Sequence, residues 1–369
     1  MRVAFFDPIS WDYSVQTPLE RPLGGSQSAI CYLATQLSAD GVDVTLINNT
    51  STPGTYAGVR CLDRTQGLVP QVLEQVDVIV VVNSAIGRRL RGAVGNKTRL
   101  VLWSHHDTNA PEIATLRDPA ERKTWDAFAL VSKWQALRYE AMFSVDPRHI
   151  VILRNAVAPP FEILRRRRAP WFTSGEAPLL AYTSTPYRGL EILLDAFPMI
   201  RSAVPGIRLK VFAGMRVYQL SEAEDTNREI YHRCSTTPDV EYIGNVSQVA
   251  LAQELANVDI LAYPSIFAET SCISVMEAMA AGCFVVSSTL AALPETTGGF
   301  GALVPIHADL EEFTKQYSHA LVEVVERGNR DPGAMSANLE KQIAFARSAY
   351  SWKTRAKEWR HLISYLSSS

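Results

Sequence analysis

From Asp259 to Cys283 the chain reads DILAYPSIFAETSCISVMEAMAAGC. Its first five residues form a mostly apolar run, as a strand buried on both faces requires. Pro264 ends that run, a polar loop follows, and Ser271 to Ala281 carries the small and apolar residues of a helix set into a core. A strand leading into a helix is the repeating half of a parallel α/β sheet, and ligands of such sheets bind where strands end and helices begin. From Cys272 to Val286 the only charged residue is Glu277. A lone carboxylate on so apolar a helix is costly unless something satisfies it. Ser271, Ser274 and Glu277 recur every third residue and form a narrow polar stripe, with Glu269 just before it. Between the two glutamates the helix presents free backbone N–H groups and a positive dipole end, which suits a diphosphate. One short segment can thus hold an anion and set two carboxylates beside a polyhydroxylated ligand. The plainer alternative is a capping carboxylate and a glutamate in a structural hydrogen bond.

Outward from this segment the same alternation fills the chain. Apolar strands are expected at Arg2 to Asp7, Val42 to Asn48, Val78 to Val82, Leu100 to Trp103, Ala127 to Ser132 and His149 to Leu153. The first is followed by a loop ending Pro22-Leu23-Gly24-Gly25-Ser26 and a helical pattern with Ile30, Leu33 and Leu37 on one side. Pro159-Pro160, the run Arg165 to Arg168 and Pro170 then break the pattern, which places an interdomain linker at about 157–172. Those arginines read as a solvated charge run, with contact to anionic lipid or phosphate as the alternative. The alternation restarts with strands at Leu179 to Thr183, Arg208 to Ala213, Val240 to Ile243, Asp259 to Tyr263 and Phe284 to Ser287, and helices at Gly189 to Val204 and Val249 to Ala256. Trp352 to Leu366 reads as a final amphipathic helix with Trp359 and Leu362 apolar. Two halves of this kind predict two Rossmann-like α/β domains facing across a cleft.

Composition agrees with two buried cores. The 369 residues are 47% hydrophobic and 20% charged, which excludes a disordered chain. Lys+Arg is 36 against 38 Asp+Glu, a net charge of -2, which excludes a globally basic nucleic-acid coat and predicts no nucleic-acid partner. No apolar run reaches the ~18 residues of a membrane span. The start MRVAFFD lacks the apolar core and cleavage site of a secretory signal. Cys31, Cys61, Cys234, Cys272 and Cys283 are scattered without a CxxC pair, as reduced thiols of a cytoplasmic protein would be.

Three weaker signals accompany the glutamate pair. Gly24-Gly25, between the first strand and an apolar helix, can bring backbone N–H groups close to a phosphate. The G-x-G-x-x-G spacing of a dinucleotide dehydrogenase is absent. His105-His106-Asp107 follows a strand end, yet a third metal ligand at useful spacing is not evident. Tyr182 to Gly189, YTSTPYRG, sets Arg188 just before a glycine at the end of another strand.

Glu269 and Glu277 resemble the E-x7-E motif of retaining GT-B glycosyltransferases, and the surrounding segment is similar to glycosyltransferase family 4. The resemblance implies that Glu277 holds the nucleotide ribose and Glu269 the donor-sugar hydroxyls, with the amides of Ser271, Cys272 and Ile273 on the diphosphate. It places Gly24 and Gly25 in the family's N-terminal phosphate loop. The segment from His106 through Asn109-Ala110-Pro111 resembles a sugar-binding loop in which His106, or His105 in the other register, lies by the sugar and either positions it or stabilises the oxocarbenium-like state through its backbone carbonyl. Arg188 falls at the family's phosphate-clamping Lys, whereas Thr183 stands near the place of its Arg, so one cation is missing. Cys272 stands where many members carry Gly. Tyr242-Ile243-Gly244-Asn245-Val246 resembles the loop that passes the nucleotide base, and Tyr350-Ser351-Trp352 opens what resembles a terminal helix crossing back to the N-terminal domain.

The implied domains are an acceptor-binding one at 1–160, joined by a C-terminal helix at 350–369, and a donor-binding one at 173–345. The implied activity is retaining transfer of a hexose from a UDP- or GDP-sugar to a sugar, lipid-linked or small-molecule acceptor, in polysaccharide, glycolipid or glycoside synthesis. Catalysis is expected from Glu269, His106 and Arg188, with donor contacts from Gly24, Gly25, Thr183, Gly244, Ser271, Cys272, Ile273 and Glu277. No cofactor or metal is expected, and the protein is expected in the cytoplasm, with peripheral contact to the inner membrane face as a variant. The alternative is a catalytically inactive sugar-nucleotide sensor or scaffold subunit of the same fold.

Overall fold

A computed structural model describes residues 1–368. Ser369, the last residue of the segment assigned to the N-terminal domain, lies outside the described residues. The chain divides into two compact units. One comprises Met1–Glu20, Gly24–Ala156 and the segment from Tyr350, and the other Arg21–Leu23 and Val157–Ala349.

The first unit is built on β1 (Arg2–Phe6), β2 (Asp43–Asn48), β3 (Gly54–Tyr56), β4 (Val59–Asp63), β5 (Val78–Val82), β6 (Arg99–Ser104), β7 (Ala127–Leu130) and β8 (Ile150–Ile152). They form one sheet in the order β3-β4-β2-β1-β5-β6-β7-β8. All pairs are parallel except β3 with β4. The central strand β5 is VIVVV with every residue buried, as a parallel strand covered on both faces demands. On one side the helix Gly25–Ala39 buries Ile30, Cys31, Leu33, Ala34 and Leu37. The C-terminal helix Trp352–Ser368 belongs to this unit: Trp359 sets its ring 5.0 Å from that of Trp103 and 6.1 Å from that of Phe5.

The hairpin β3–β4 is an element for which the sequence predicts no strand. Its strands meet at Tyr56↔Val59, and the two turn residues Ala57 and Gly58 have φ of 47° and 78°. Two positive φ values are what a two-residue hairpin turn needs, and alanine rarely supplies one, so the turn signal is hidden.

The second unit holds β9 (Leu179–Tyr182), β10 (Arg208–Val211), β11 (Val240–Tyr242), β12 (Ile260–Tyr263), β13 (Phe284–Ser288) and β14 (Ala302–Val304). The sheet is wholly parallel, in the order β11-β10-β9-β12-β13-β14. The helix Leu310–Arg330 packs Phe313, Tyr317, Leu321, Val324 and Val325 into its core.

The segment read as a linker is part of this second unit, and its charges are not simply solvated. Arg166 and Arg168 each place a nitrogen 2.9 Å from the carboxylate of Asp259, whose side chain is fully buried. Arg166 also donates to the carbonyls of Val258 and Gly282 at 2.7 and 2.6 Å. Asp259 further accepts the backbone N–H of Leu179 at 2.9 Å. A buried carboxylate is tolerable only when so completely paired, so these two arginines are fixed to the fold and only Arg165 and Arg167 remain exposed. Among the described residues no helix is long and apolar enough to cross a membrane.

Candidate functional site

The strand order of the second sheet runs outward in opposite directions from the β9–β12 pair. Loops leaving two such strands diverge, which makes their carboxyl ends the favoured ligand site of a doubly wound sheet. After β9 the chain passes Thr183, Ser184 and Thr185, turns through Pro186–Arg188 and Gly189, and enters the helix Leu190–Ala203. After β12 it runs from Pro264 to Cys272 and enters the helix Ile273–Ala281. The two loops are pressed together at Gly189, whose φ is 117° and where a Cβ would lie 2.1 Å from the Pro264 carbonyl oxygen. They are tied again by Ser274, whose hydroxyl donates to the Thr183 carbonyl at 2.5 Å.

Arg188 and Glu269 come together across this junction. Arg188 Nη1 lies 2.7 Å from Glu269 Oε1, and the carboxylate is buried. The guanidinium carbon stands 4.4 Å from the Phe267 ring centroid, and Nη2 reaches the Tyr218 hydroxyl at 3.4 Å. Glu269 Oε1 accepts a second bond, from the Tyr263 hydroxyl at 2.5 Å. Both bonds fall on the same oxygen, so Oε2 keeps its lone pairs for another partner. Arg188 Nε and Thr183 Oγ1 are buried with no hydrogen-bond partner in the structure. Buried polar atoms left so are rare, and with Thr185 Oγ1 there are three on this loop, which mark a place for a hydrogen-bonding ligand.

The first turn of the helix Ile273–Ala281 faces the same question. Its N-cap residue, Cys272, supplies no side-chain cap, so the first-turn N–H groups are available to an anion. Burial pushes the Cys272 thiol well above its ordinary range, so it fills space as a neutral group. Glu277 is buried one turn further on, and Oε1 accepts the Ala158 backbone N–H at 3.2 Å.

Burial pushes the Glu277 carboxyl up to about 8, from an ordinary 4.5. Between those values the folded chain holds a proton that the unfolded chain has lost, so stability falls as pH rises and levels off above 8. Glu277→Gln should remove this slope. Urea unfolding at both ends of the window should show the unmodified chain losing on the order of a few kcal/mol that the variant keeps. Parallel profiles would mean that Glu277 titrates normally.

Gly244 lies two residues past β11, which is two strands from β9, with a φ of 79° that favours glycine. Its N–H and that of Ile243 both donate to the Val211 carbonyl, at 3.3 and 3.0 Å.

In the first unit the order reverses at β1 and β5. Gly24 caps the helix Gly25–Ala39, and a Cβ there would lie 2.8 Å from the Trp11 ring and 2.9 Å from Gln27 Oε1, so a larger residue would have to displace these two side chains. His105 is a structural residue: Nε2 lies 3.0 Å from Asn155 Oδ1 and burial lowers its imidazole to about 3. His106 is half-buried, with Nδ1 3.6 Å from Glu112 Oε2, and burial lowers its imidazole too. The His106 carbonyl already accepts Gln135 Nε2 at 2.8 Å and the Tyr139 hydroxyl at 3.1 Å. Both lone pairs are therefore engaged, which leaves the ring as the part of His106 that can meet a ligand.

Sequence reasoning passed over Asp7 and Tyr263. Asp7, buried at the end of β1, accepts the Tyr13 hydroxyl at 2.6 Å and Gln27 Nε2 at 3.0 Å, and burial raises its carboxyl. It joins the glycine-rich loop to the first turn of the following helix. The available signal was a carboxylate directly after an apolar strand. Among the described residues no group of three or more His, Cys, Asp or Glu side chains is placed to hold a metal ion.

Residues 178–323, within the second unit, match the family model of glycosyl transferases group 1. Among curated proteins no match is found. Several solved structures share the fold over nearly the whole length. Sucrose-phosphate synthase from Thermosynechococcus elongatus is 17% identical with a TM-score of 0.67, covering 99% of this chain and 98% of its own. A glycosyltransferase from Rickettsia africae is 13% identical with a TM-score of 0.72, covering 99% and 98%. Anabaena HepE in complex with UDP-glucose is 15% identical with a TM-score of 0.70, covering 99% and 100%. The chain thus has the GT-B fold.

Proposed function

We propose that the chain is a retaining glycosyltransferase that moves a hexose from a nucleotide-diphosphate donor to an acceptor hydroxyl, with the donor held by the second unit. The carrying observation is the pair Glu269 and Glu277 on either side of an uncapped helix N-terminus, with Arg188 on the first of them. The group 1 family match over this segment supports it. HepE, solved with UDP-glucose, makes a UDP-hexose the first donor to try, ahead of a GDP-hexose.

In this reading the bond from the anomeric carbon to the diphosphate breaks, and the acceptor oxygen bonds to that carbon on the same face. The acceptor proton passes to the departing phosphate oxygen, so no protein base is required. Charge develops on the leaving diphosphate, and fixed donors aimed at it supply the largest stabilisation. The amides of Ser271, Cys272 and Ile273 and the free Nε of Arg188 are those donors. Thr183 adds a neutral hydroxyl in place of a second cation. Glu269 Oε2 takes the sugar hydroxyls and Glu277 the ribose. Gly24, Gly25 and the His106 ring of the first unit are proposed as further contacts to phosphate and sugar, and Gly244 as a contact to the base.

Calorimetry with UDP-glucose and GDP-mannose tests the donor role. A ribose-bound Glu277 is better ionised, since hydroxyls donate more strongly to a carboxylate. Donor binding near pH 7 should then release a proton, and the measured enthalpy should vary with the ionisation enthalpy of the buffer. Failure of every nucleotide sugar to bind would end the donor reading, whereas buffer-independent binding would remove only the ribose role. The lone cation of the β9 loop favours one other reading, a sensor that binds without turnover. Donor consumption that requires an acceptor decides for transfer.

A further inference from the structure

The end of β12 carries a buried phenol that the mechanism above leaves unused. The Tyr263 ring packs 5.7 Å from the Tyr182 ring, and the Ser287 hydroxyl donates to the Tyr263 carbonyl at 2.7 Å, so ring and backbone are both fixed. Its hydroxyl donates to Glu269 Oε1 at 2.5 Å, and Ser184 Oγ stands 3.4 Å away. The same carboxylate oxygen takes Arg188 Nη1 at 2.7 Å. Two donors on one oxygen resist rotation of the carboxylate and leave Oε2 as the atom that meets a ligand.

We infer that Tyr263 is a positioning residue, which holds Glu269 with Oε2 toward the hydroxyls of the donor sugar and contributes nothing to the nucleotide. This rests on the reading of Glu269 as the sugar contact. The geometry suits the task. Arg188 alone, on a long side chain, would let the carboxylate follow it. A phenol anchored in the core cannot move with the loop. Burial pushes the Tyr263 hydroxyl well above its ordinary range, so it remains a donor at every working pH. A purely structural role, closing the loop from Pro264 to Ala268, would predict a different pattern of losses.

Tyr263→Phe keeps the ring and removes the bond. Calorimetric titration of both proteins with UDP-glucose and with UDP separates the roles, repeated with GDP-mannose and GDP. The Kd for the nucleotide sugar should rise roughly tenfold, the scale of one charge-assisted hydrogen bond. The Kd for the free diphosphate should stay unchanged. In a Glu269→Gln background the Tyr263 substitution should add nothing, because coupled residues do not act additively. Equal losses on nucleotide and nucleotide sugar, no loss on either, or a full loss persisting beside Glu269→Gln would each overturn the inference. If the unmodified chain binds no nucleotide sugar, the donor reading falls with it. If it binds and Tyr263→Phe is silent, only the positioning role falls.

Discussion

Arg188→Ala is expected to lower turnover of a nucleotide sugar by roughly two to three orders of magnitude, the range seen when one fixed donor to a developing charge is removed. The substitution has two consequences in this structure. It takes away the cation of the β9 loop, and it leaves the buried Glu269 with the Tyr263 hydroxyl as its remaining hydrogen-bond donor. The carboxylate then loses the cation that fixes it, which on the proposed reading would loosen its hold on the sugar. Affinity for the donor should fall less than turnover, since the ground state gains less from the cation than the transition state does. Arg188→Lys should recover part of the activity. It restores the charge without the planar fork that spans Glu269 and Tyr218 or the face that lies over Phe267. Steady-state kinetics at saturating donor, with a melting curve to confirm folding, would check this. A turnover number equal to that of the unmodified enzyme would remove Arg188 from the mechanism.

Gly189→Ala should cost the fold more than the substitutions at Arg188, Tyr263 or Glu277. Two effects add: φ of 117° is unfavourable for alanine, and the new Cβ would meet a backbone oxygen at 2.1 Å. The Pro264 carbonyl cannot swing aside as a side chain could, because it belongs to the loop that carries Glu269. A loss of about 3–5 kcal/mol is expected, measured by chemical denaturation. Gly175→Ala is the control. Its φ of 73° is also positive, but a Cβ there meets nothing within 4 Å, so only the backbone penalty of about 1–2 kcal/mol applies. Equal losses at the two positions would show that the close approach to Pro264 carries no weight.

The strands were legible because parallel strands buried on both faces have no choice of composition. VIVVV at β5 and ILAY at β12 could hardly be anything else. The glutamate pair was legible for the opposite reason, a charge where apolar residues were due. What escaped depended on partners distant in sequence. Arg166 and Arg168 looked like solvated charges until Asp259 was placed between them, and nothing local announces that pairing. The hairpin β3–β4 escaped because an alanine occupies a turn position that asparagine or glycine normally marks. Tyr263 was hidden in plain view: a tyrosine closing an apolar strand reads as core, and its hydroxyl matters only once Glu269 folds back onto it. His105 and His106 could not be told apart by spacing. Both are half-buried, and only their neighbours differ: Trp103 and Asn155 for His105, Glu112 for His106.

The return of the helix Trp352–Ser368 to the first unit bears on how the molecule is made. A ribosome delivers Phe5 and Trp103 early, but the indole of Trp359 that covers them emerges only after Val157–Ala349 has been synthesised. Until then the nascent first unit shows bare aromatic surface, while Val157–Ala349 can already close on itself. The first unit therefore completes its core only once that helix is made, and a clipped product lacking it would expose Phe5 and Trp103, a target for chaperones and proteases rather than a slightly shortened protein.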